Sequence, residues 1–174
     1  MFADPIKNLK QFGIVENMIV ADLGAGSGFY SIPAAEIANN GKVYAIEVQR
    51  DFLTMIKIKA ADAHLANIDF IWGDVETVGG TKIKDGILDR VIASNILFQI
   101  IHKNKFLDEA HRILKKHGKI LLIDWADASF VGGPKSNVLI KKENAREMFE
   151  KKGFVYERDI DAGMHHYGMI FSKP

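Results

Sequence analysis

A glycine-rich turn after the first apolar segment has the composition of a ligand-binding turn. Residues 18–23 predict a buried β-strand, and Gly24, Gly26 and Gly28 follow it at alternate positions. Such glycines let the chain bend sharply and let a ligand lie against the backbone. The first turn of the next helix offers unpaired N–H groups and a partial positive charge, which suit a carboxylate or phosphate. A tight strand-to-helix turn without a ligand would show the same glycines.

Two carboxylates occupy the ends of the next two predicted strands. Glu47 follows the strand at 43–46, and Asp74 follows the strand at 68–72, with Val75 beside it. A carboxylate about 20 residues after a glycine turn accepts hydrogen bonds from ribose hydroxyls in nucleotide-binding folds. Asp74 can accept from the amine of an adenine ring that lies against Val75. Each carboxylate alone is more often a solvated strand end or a helix cap, but three successive strand ends together predict one nucleoside-like ligand.

Strand-like and helical patterns alternate along the chain, and this alternation must position those side chains. The apolar patterns predict strands at 18–23, 43–46, 68–72, 88–94, 119–124, 154–160 and 165–172, and helices at 29–38, 51–63, 104–114 and 143–152. Gly118 is predicted to end the third of these helices after residue 114. Short apolar strands alternating with helices predict a doubly wound, mostly parallel α/β sheet that ends in an antiparallel hairpin. Ligands bind at the carboxyl ends of such strands.

Composition limits the possible classes of protein. The chain has 174 residues, a formal net charge of +1 and no cysteine. Its length predicts a single domain over residues 1–174. The absence of cysteine excludes disulfides, thiolate metal sites and cysteine nucleophiles. Balanced charge makes nucleic acid an unexpected partner, and the lack of a signal sequence or a long apolar span predicts a cytoplasmic protein without a membrane partner. The oligomeric state stays open.

Five segments resemble the class I S-adenosylmethionine-dependent methyltransferases, in particular the small-molecule enzymes of the ubiquinone/menaquinone-biosynthesis type. They are VADLGAGSG, VYAIE, WGDVE, LDRVIASNILFQI and FLDEAHRILKKHGKILLIDW. The resemblance implies a Rossmann-like sheet of seven strands in the order 3-2-1-4-5-7-6, with the last strand antiparallel. It also implies S-adenosyl-L-methionine as cofactor, S-adenosyl-L-homocysteine as product and a small-molecule acceptor.

The resemblance assigns cofactor-binding roles to residues at four strand ends. These residues are Asp22, Gly24, Ala25, Gly26, Gly28, Glu47, Asp74, Val75, Ser94 and Asn95. The glycine turn would line the methionine part of the cofactor, Glu47 the ribose, and Asp74 with Val75 the adenine. The fourth strand ends in Ser94-Asn95-Ile96-Leu97 rather than Asn/Asp-Pro-Pro-aromatic, which disfavours nucleobase and glutamine amino groups as acceptors.

Candidate catalytic residues follow the fourth and fifth strands. In-line methyl transfer depends mainly on positioning, and a base is needed only if the acceptor must lose a proton. Asp124 and His102 are the candidates for that base. The structural alternatives are a carboxylate that caps backbone N–H groups and an exposed histidine before a helix.

Two other regions could lie near the acceptor. His165 and His166 would point to opposite faces of a regular strand, so no metal site is predicted. The two histidines could bind one metal ion only if His165 still lies in the turn before the strand. The loop around Phe130 and Gly132 is predicted to cover the site. Residues 1–17, from Phe2 onward, predict a helical segment that forms either a lid or ordinary helix packing.

Three other functions remain open at this stage. An RNA or protein methyltransferase would share all these motifs, and so would a noncatalytic module that binds S-adenosylmethionine. An NAD-dependent enzyme is disfavoured because the glycine spacing is G-x-G-x-G rather than G-x-G-x-x-G.

Overall fold

The computed structural model of the protein describes residues 3–129 and 133–174 and consists of one sheet with helices on both faces. Its elements, in chain order, are α1 (Pro5–Phe12), β1 (Ile19–Leu23), α2 (Ser31–Ile37), β2 (Lys42–Glu47), α3 (Arg50–Asp62), β3 (Ile68–Trp72), β4 (Leu88–Ser94), α4 (Lys103–Ile113), β5 (Leu114–Trp125), a short 3-10 helix (Ser136–Val138), α5 (Lys142–Lys151), β6 (Val155–Ile160) and β7 (His166–Ser172). Within these residues no helix is long and apolar enough to cross a membrane.

The seven strands are arranged in the order β3-β2-β1-β4-β5-β7-β6. β1 pairs in parallel with β2 and β4, β2 with β3, and β4 with β5, whereas β7 runs antiparallel to both of its neighbours. The predicted fold class, strand order and antiparallel strand are therefore confirmed. The strand order reverses between β1 and β4, and their carboxyl ends form the crevice in which this kind of sheet binds ligands.

Two apolar layers sandwich the sheet because successive strand residues point to opposite faces. In β5, Leu122 packs with Phe106 of α4 and Phe149 of α5 in one cluster, whereas Leu121 packs in the other cluster with Leu9 of α1. All five side chains are essentially inaccessible to solvent. Burying a side chain of this size contributes roughly 1.5–3 kcal/mol each. The sheet is thus a rigid platform for the loops at its carboxyl edge.

The boundary between α4 and β5 differs from the prediction. α4 ends at Ile113, and β5 begins at the next residue, where Leu114 pairs with Leu88. Gly118 lies within the strand and does not stop the helix. A Cβ on Gly118 would lie 2.9 Å from the Leu114 side chain and 3.0 Å from the Leu88 carbonyl oxygen. The glycine is therefore explained by close packing of the chain beside the register shift between Leu88 and Arg90.

The N-terminal helix packs on the sheet layer that carries α2. Asp4 caps α1 by accepting from the Lys7 N–H, and Leu9 and Phe12 are buried in the core. The fully buried Asn8 donates to the Tyr30 hydroxyl oxygen at 2.9 Å. Helix packing thus accounts for α1, while Phe2 lies outside the described residues and the lid role stays a prediction.

A buried carboxylate ties the connection between β3 and β4 to α4. Glu109 is fully buried and accepts from the Arg112 guanidinium at 2.7 and 2.8 Å. It also accepts from the Gly79 N–H at 2.7 Å and from both the N–H and the hydroxyl of Thr81. Burial alone would raise the pKa of Glu109, but these hydrogen bonds outweigh it and lower the pKa from 4.5 to about 2.

We expect Glu109→Gln to reduce the free energy of unfolding at pH 7 by about 3 kcal/mol, because Arg112 then loses a buried charged partner. The folded pKa lies below the unfolded one, so the stabilisation is complete above about pH 4.5 and is lost as pH falls toward 2. Urea unfolding at pH 7 and pH 3 tests both points. Asp85→Asn is the control, because Asp85 pairs with the same guanidinium but is 80% exposed, and should cost less than about 1 kcal/mol. Equal losses in the two variants would contradict the prediction.

Candidate active site

A cavity of about 750 Å³ opens at the carboxyl edge of β1, β2, β3 and β4. Its walls are the loops that follow these four strands, as the position of the strand-order reversal predicts. Nine of the ten predicted cofactor-binding residues line it: Asp22, Gly24, Ala25, Gly26, Glu47, Asp74, Val75, Ser94 and Asn95. The structure therefore brings together side chains that are more than 70 residues apart in the sequence.

The glycine turn is fixed to the end of β2 by backbone hydrogen bonds. Gly24 and Ala25 donate their N–H groups to the Ile46 carbonyl at 3.0 and 2.9 Å. Gly24 and Gly26 have φ values of +73° and +51°, in the left-handed region that favours glycine. A Cβ on Gly26 would meet nothing within 4 Å, so this backbone borders open space in the cavity. A ligand can lie directly against it.

Gly28 has a packing role at the start of α2. It is not among the described residues that line the cavity. Its φ is +82°, and a Cβ there would lie 3.2 Å from the Ile56 side chain of α3 and 3.4 Å from that of Ile32. Gly28 therefore allows α2 and α3 to pack closely, and its role beside the methionine part of a cofactor stays a prediction.

Glu47 is a buried carboxylate that is held by backbone N–H groups. It is 6% exposed. Its Oε2 accepts from Gly26 at 2.9 Å, and its Oε1 accepts from Val48 and Gln49 at 2.8 and 2.9 Å. A carboxylate offers about four acceptor positions, so Oε2 retains capacity for a ligand hydroxyl. Glu47 thus orients the glycine turn and presents an acceptor to the cavity.

Asp22 forms the floor of the cavity, and its pKa is raised by its surroundings. It is 2% exposed, and the Ser31 hydroxyl donates to its Oδ2 at 2.6 Å. Burial raises the pKa of Asp22 from 3.8 to about 6, and this rise outweighs the lowering by Ser31, while the nearby charge of Glu47 adds to it. A cation in the cavity would favour the ionised form of Asp22.

The loop after β3 supplies the third wall. Asp74 is exposed at the cavity rim and accepts from the Glu76 N–H at 2.8 Å and from the Thr77 hydroxyl at 2.9 Å. It therefore caps a turn as well as lining the cavity beside the buried Val75. Glu76 was not predicted.

Glu76 also holds the opposite wall in place. Its Oε2 accepts from the N–H groups of Ile101 and His102 at 2.9 and 2.6 Å. These bonds connect the loop after β3 to the loop after β4, so the separation of the two cavity walls depends on Glu76.

The end of β4 contributes polar groups to the cavity. Ser94 and Tyr30 both line the cavity, and the Tyr30 hydroxyl accepts a hydrogen bond from Asn8 of α1. Asn95 has a φ of +53°, which is uncommon for a residue other than glycine. Its backbone N–H donates to the Ile123 carbonyl at 2.8 Å, which fixes it to β5.

The two candidate catalytic residues do not line the cavity. Asp124 is 1% exposed and accepts from the N–H groups of Phe98 and Trp125 at 3.1 and 2.8 Å, so it holds the loop after β4. Burial raises the pKa of Asp124 to about 6 despite these bonds. His102 is exposed at the start of α4. Among the described lining residues neither is present, and the structural alternatives for both residues fit the geometry.

The side chains of His165 and His166, at the start of the last strand, make different contacts. His165 has a φ of +64° in the turn before β7, and its Nδ1 lies 2.9 Å from Asp127 Oδ1. The His166 ring instead packs against Trp125, with ring centroids 4.3 Å apart. The predicted covering residues Phe130 and Gly132 lie outside the described residues.

The cavity has twelve further lining residues to which the sequence analysis gave no cofactor-binding role. They are Ser27, Phe29, Tyr30, Ile46, Val48, Gln49, Phe52, Gly73, Glu76, Ile96, Gln99 and Ile100. Most follow a strand end by one to six residues, so distance from the strand end was the available signal. The half-exposed Phe29 was assigned to a helix, whereas α2 begins only at Ser31.

Comparison with known proteins gives the family. A family model described as "Methyltransferase domain" matches residues 14–161. A crystal structure of a SAM-dependent methyltransferase from Aquifex aeolicus superimposes with a TM-score of 0.90 at 26% identity, covering 99% of this chain and 91% of that chain. The chain therefore belongs to the class I S-adenosylmethionine-dependent methyltransferase family, as the sequence motifs predict.

Two curated relatives differ in what their names say they act on. The ubiquinone/menaquinone biosynthesis C-methyltransferase of Blochmanniella pennsylvanica is 30% identical over 114 residues, 64% of this chain and 44% of that protein. The ribosomal protein L11 methyltransferase of Limosilactobacillus reuteri is 31% identical over 163 residues, 92% of this chain and 44% of that protein. The chain spans roughly a third to a half of the length of the curated relatives it matches.

We expect Gly26→Ala and Gly28→Ala to separate ligand binding from packing. Both place an alanine in the left-handed region, at a cost of roughly 1–2 kcal/mol each. Gly26→Ala also projects a methyl group into the cavity and should weaken S-adenosylhomocysteine binding. Gly28→Ala instead presses on Ile56 and should lower the melting temperature more while leaving the affinity of the folded protein nearly unchanged. Calorimetry and thermal unfolding measure both, and the reverse pattern would contradict the assignment.

Proposed function

We propose that the protein is an S-adenosylmethionine-dependent methyltransferase that acts on a small-molecule acceptor. The observation that carries this proposal is the cavity itself, where Glu47, Asp74 and the glycine turn converge from three successive strand ends. The family membership supports the same cofactor. The charges of the cavity walls support the proposed class of acceptor.

The lining residues fit this cofactor. The cavity presents the carboxylates of Asp22, Glu47, Asp74 and Glu76, and among its described lining residues there is no Lys, Arg or His. A cationic sulfonium and several hydroxyl and amine donors suit such a set of acceptors. The open space beside Gly26 leaves room for a ligand against the backbone.

Each wall has a proposed role in holding the cofactor. The turn at Gly24, Ala25 and Gly26 faces the methionine part, Glu47 accepts from the ribose hydroxyls, and Asp74 with Val75 faces the adenine. Ser94 and Asn95 contribute to the cofactor site from the end of β4, beside the glycine turn. When bound, S-adenosylmethionine supplies a methyl group on a sulfonium, from which the acceptor's lone pair displaces S-adenosylhomocysteine.

The chain's own contribution to catalysis is positioning. Asp124 uses both carboxylate oxygens to hold backbone N–H groups, including that of Phe98 in the loop after β4. We therefore propose Asp124 as a positioning residue rather than a base, while the His102 N–H anchors the same loop to Glu76. A rigid cavity that orients the acceptor supplies most of the acceleration that an in-line displacement needs.

The charges of the cavity lining favour a small-molecule acceptor over RNA. RNA recognition depends on cationic contacts to phosphates, and the described lining residues include no cationic side chain. The relative named for ribosomal protein L11 keeps a protein acceptor as the second candidate. Incubation with radiolabelled S-adenosylmethionine and separated metabolite, protein and RNA fractions distinguishes these, with label expected in the metabolite fraction. No transfer in any fraction would favour a noncatalytic binding module.

We expect S-adenosylmethionine and S-adenosylhomocysteine to raise the melting temperature and NAD to leave it unchanged. A ligand at ~100 times its dissociation constant adds about 2.7 kcal/mol to stability. Glu47→Gln should weaken S-adenosylhomocysteine binding about tenfold, because a charged acceptor is lost. Glu36→Gln, on the exposed side of α2, is the matched control and should bind normally. Absence of a shift with millimolar amounts of either cofactor form, in folded protein, would contradict the proposed function.

The raised pKa of Asp22 predicts a pH effect that differs between substrate and product. The sulfonium of S-adenosylmethionine is attracted by ionised Asp22, whereas S-adenosylhomocysteine lacks that charge. The ratio of their affinities should shift toward S-adenosylmethionine, up to about tenfold, as pH rises through about 6, where Asp22 ionises. Calorimetry from pH 5 to 7.5 measures the ratio. Asp22→Asn should flatten it, and a constant ratio in the unmodified protein would contradict a role for Asp22.

A further inference from the structure

The loop after β4, residues 95–102, forms one wall of the cavity through Ile96, Gln99 and Ile100. β2 and β3, whose ends carry the carboxylates proposed to hold the ribose and adenine, lie on the other side of β1. In the proposed function this wall therefore remains for the acceptor. How well an acceptor is oriented then depends on how firmly the loop is held.

Two of the hydrogen bonds that hold this loop come from β5. The Asn95 N–H donates to the Ile123 carbonyl at 2.8 Å, and the Phe98 N–H donates to Asp124 Oδ2 at 3.1 Å. Neither Ile123 nor Asp124 is among the described residues that line the cavity. These two bonds therefore fix the first half of the loop from outside the cavity.

The second half of the loop is held from the opposite side by Glu76. Its Oε2 accepts from the N–H groups of Ile101 and His102 at 2.9 and 2.6 Å, directly before α4. A carboxylate is favoured there because the start of a helix carries a partial positive charge. Glu76 lines the cavity, so this link, unlike the two from β5, belongs to the part of the site that a ligand reaches.

Glu76 belongs to the turn that is proposed to hold the adenine. Its own N–H donates to Asp74 Oδ1 at 2.8 Å, and Val75 lies between the two residues. Farther along the same connection, the Gly79 N–H donates to the buried Glu109 at 2.7 Å, which anchors that end to α4 outside the described cavity lining. A ligand that packs on Asp74 and Val75 therefore restricts the segment that carries Glu76.

We propose that Glu76 is a positioning residue that couples the two sides of the cavity. When the cofactor site is filled, the turn at Asp74 and Val75 is fixed, and Glu76 passes this restriction to Ile101 and His102. The inference rests on the proposed function and adds that the acceptor wall becomes ordered once the cofactor is in place. Glu76 acts through backbone N–H groups and needs no contact with either ligand. Because such coupling is reciprocal, an ordered wall favours the cofactor by the same factor.

Amide exchange of the loop measures this coupling. The exchange rates of the Ile101 and His102 N–H groups are determined by NMR with and without saturating S-adenosylhomocysteine. In the unmodified protein the ligand should slow both rates about five- to tenfold, because the hydrogen bonds to Glu76 open less often. The Phe98 N–H, which is held by Asp124, should change by less than about twofold.

Variants of Glu76 separate coupling from ordinary stabilisation. In Glu76→Ala both N–H groups should exchange faster, and the ligand should no longer slow them. Glu76→Gln keeps an acceptor oxygen without the charge, so slowing of about two- to threefold should remain, and this variant carries the comparison if the alanine variant does not fold. Asp124→Asn is the matched control in the same loop: the Phe98 N–H should exchange faster, while the ligand still slows Ile101 and His102.

Calorimetry adds a limit that follows from reciprocity. The loss of S-adenosylhomocysteine affinity in Glu76→Ala should not exceed the slowing measured at Ile101 and His102 in the unmodified protein. A larger loss would mean that Glu76 contacts the cofactor directly, and it would overturn the positioning role.

The remaining outcomes bear on separate statements. Absence of slowing at Ile101 and His102 in protein that binds S-adenosylhomocysteine overturns the coupling, and equal slowing at Phe98 overturns it as well, because it indicates a general gain in stability. Slowing that is undiminished in either Glu76 variant overturns the role of Glu76. Failure of the unmodified protein to bind S-adenosylhomocysteine contradicts the proposed function itself and is seen by calorimetry before any exchange is measured.

Discussion

Two buried carboxylates, Asp22 in β1 and Glu47 at the end of β2, lie at the carboxyl edge of adjacent strands. The geometry of the whole site depends on the hydrogen bonds that each of them accepts. Glu47 is satisfied by three backbone N–H groups, one of them from Gly26 in the glycine turn. Asp22 has the Ser31 hydroxyl, and burial raises its pKa to about 6. The charge of Glu47 contributes to that rise, because two buried like charges repel each other. A cationic ligand in the cavity would relieve this repulsion.

The hydrogen bonds of these carboxylates also determine the shape of the cavity. Glu47 connects β2 to the turn after β1, Glu76 connects the loop after β3 to the loop after β4, and Asp124 connects the end of β5 to that same loop. Each link joins elements that are distant in sequence but adjacent in the sheet. The loops are therefore positioned by side chains from neighbouring strands, and a rigid parallel sheet is what brings those strands into register.

Local sequence patterns predicted the strands and most of the cavity floor, whereas the order of the strands was predicted from the resemblance to the methyltransferase family. Apolar strand segments, a glycine turn and carboxylates at strand ends all appear within a few consecutive residues. Gly118 was misassigned because its role depends on groups that approach it in the folded chain, the Leu114 side chain and the Leu88 carbonyl oxygen. The close packing of Gly28 against Ile56 was likewise not visible in the sequence. Asp124 was ambiguous for the same reason, since a strand-end carboxylate can face a cavity or cap a loop, and only tertiary structure decides between these.

The sequence identifies the proposed cofactor side of the cavity better than the proposed acceptor side, because local residue patterns mark the first and tertiary contacts determine the second. Glycines and carboxylates act through backbone shape and charge, so their residue types alone predict chemistry. At the end of β4, Asn95 has a φ of +53° and a buried Oδ1 without a hydrogen-bond partner among the described residues, and neither property is visible in the residue type. The next residue, Ile96, packs where a Cβ on Gly24 would overlap it. The loop after β4 is thus packed against the glycine turn, and a change in either one alters the shape of the cavity.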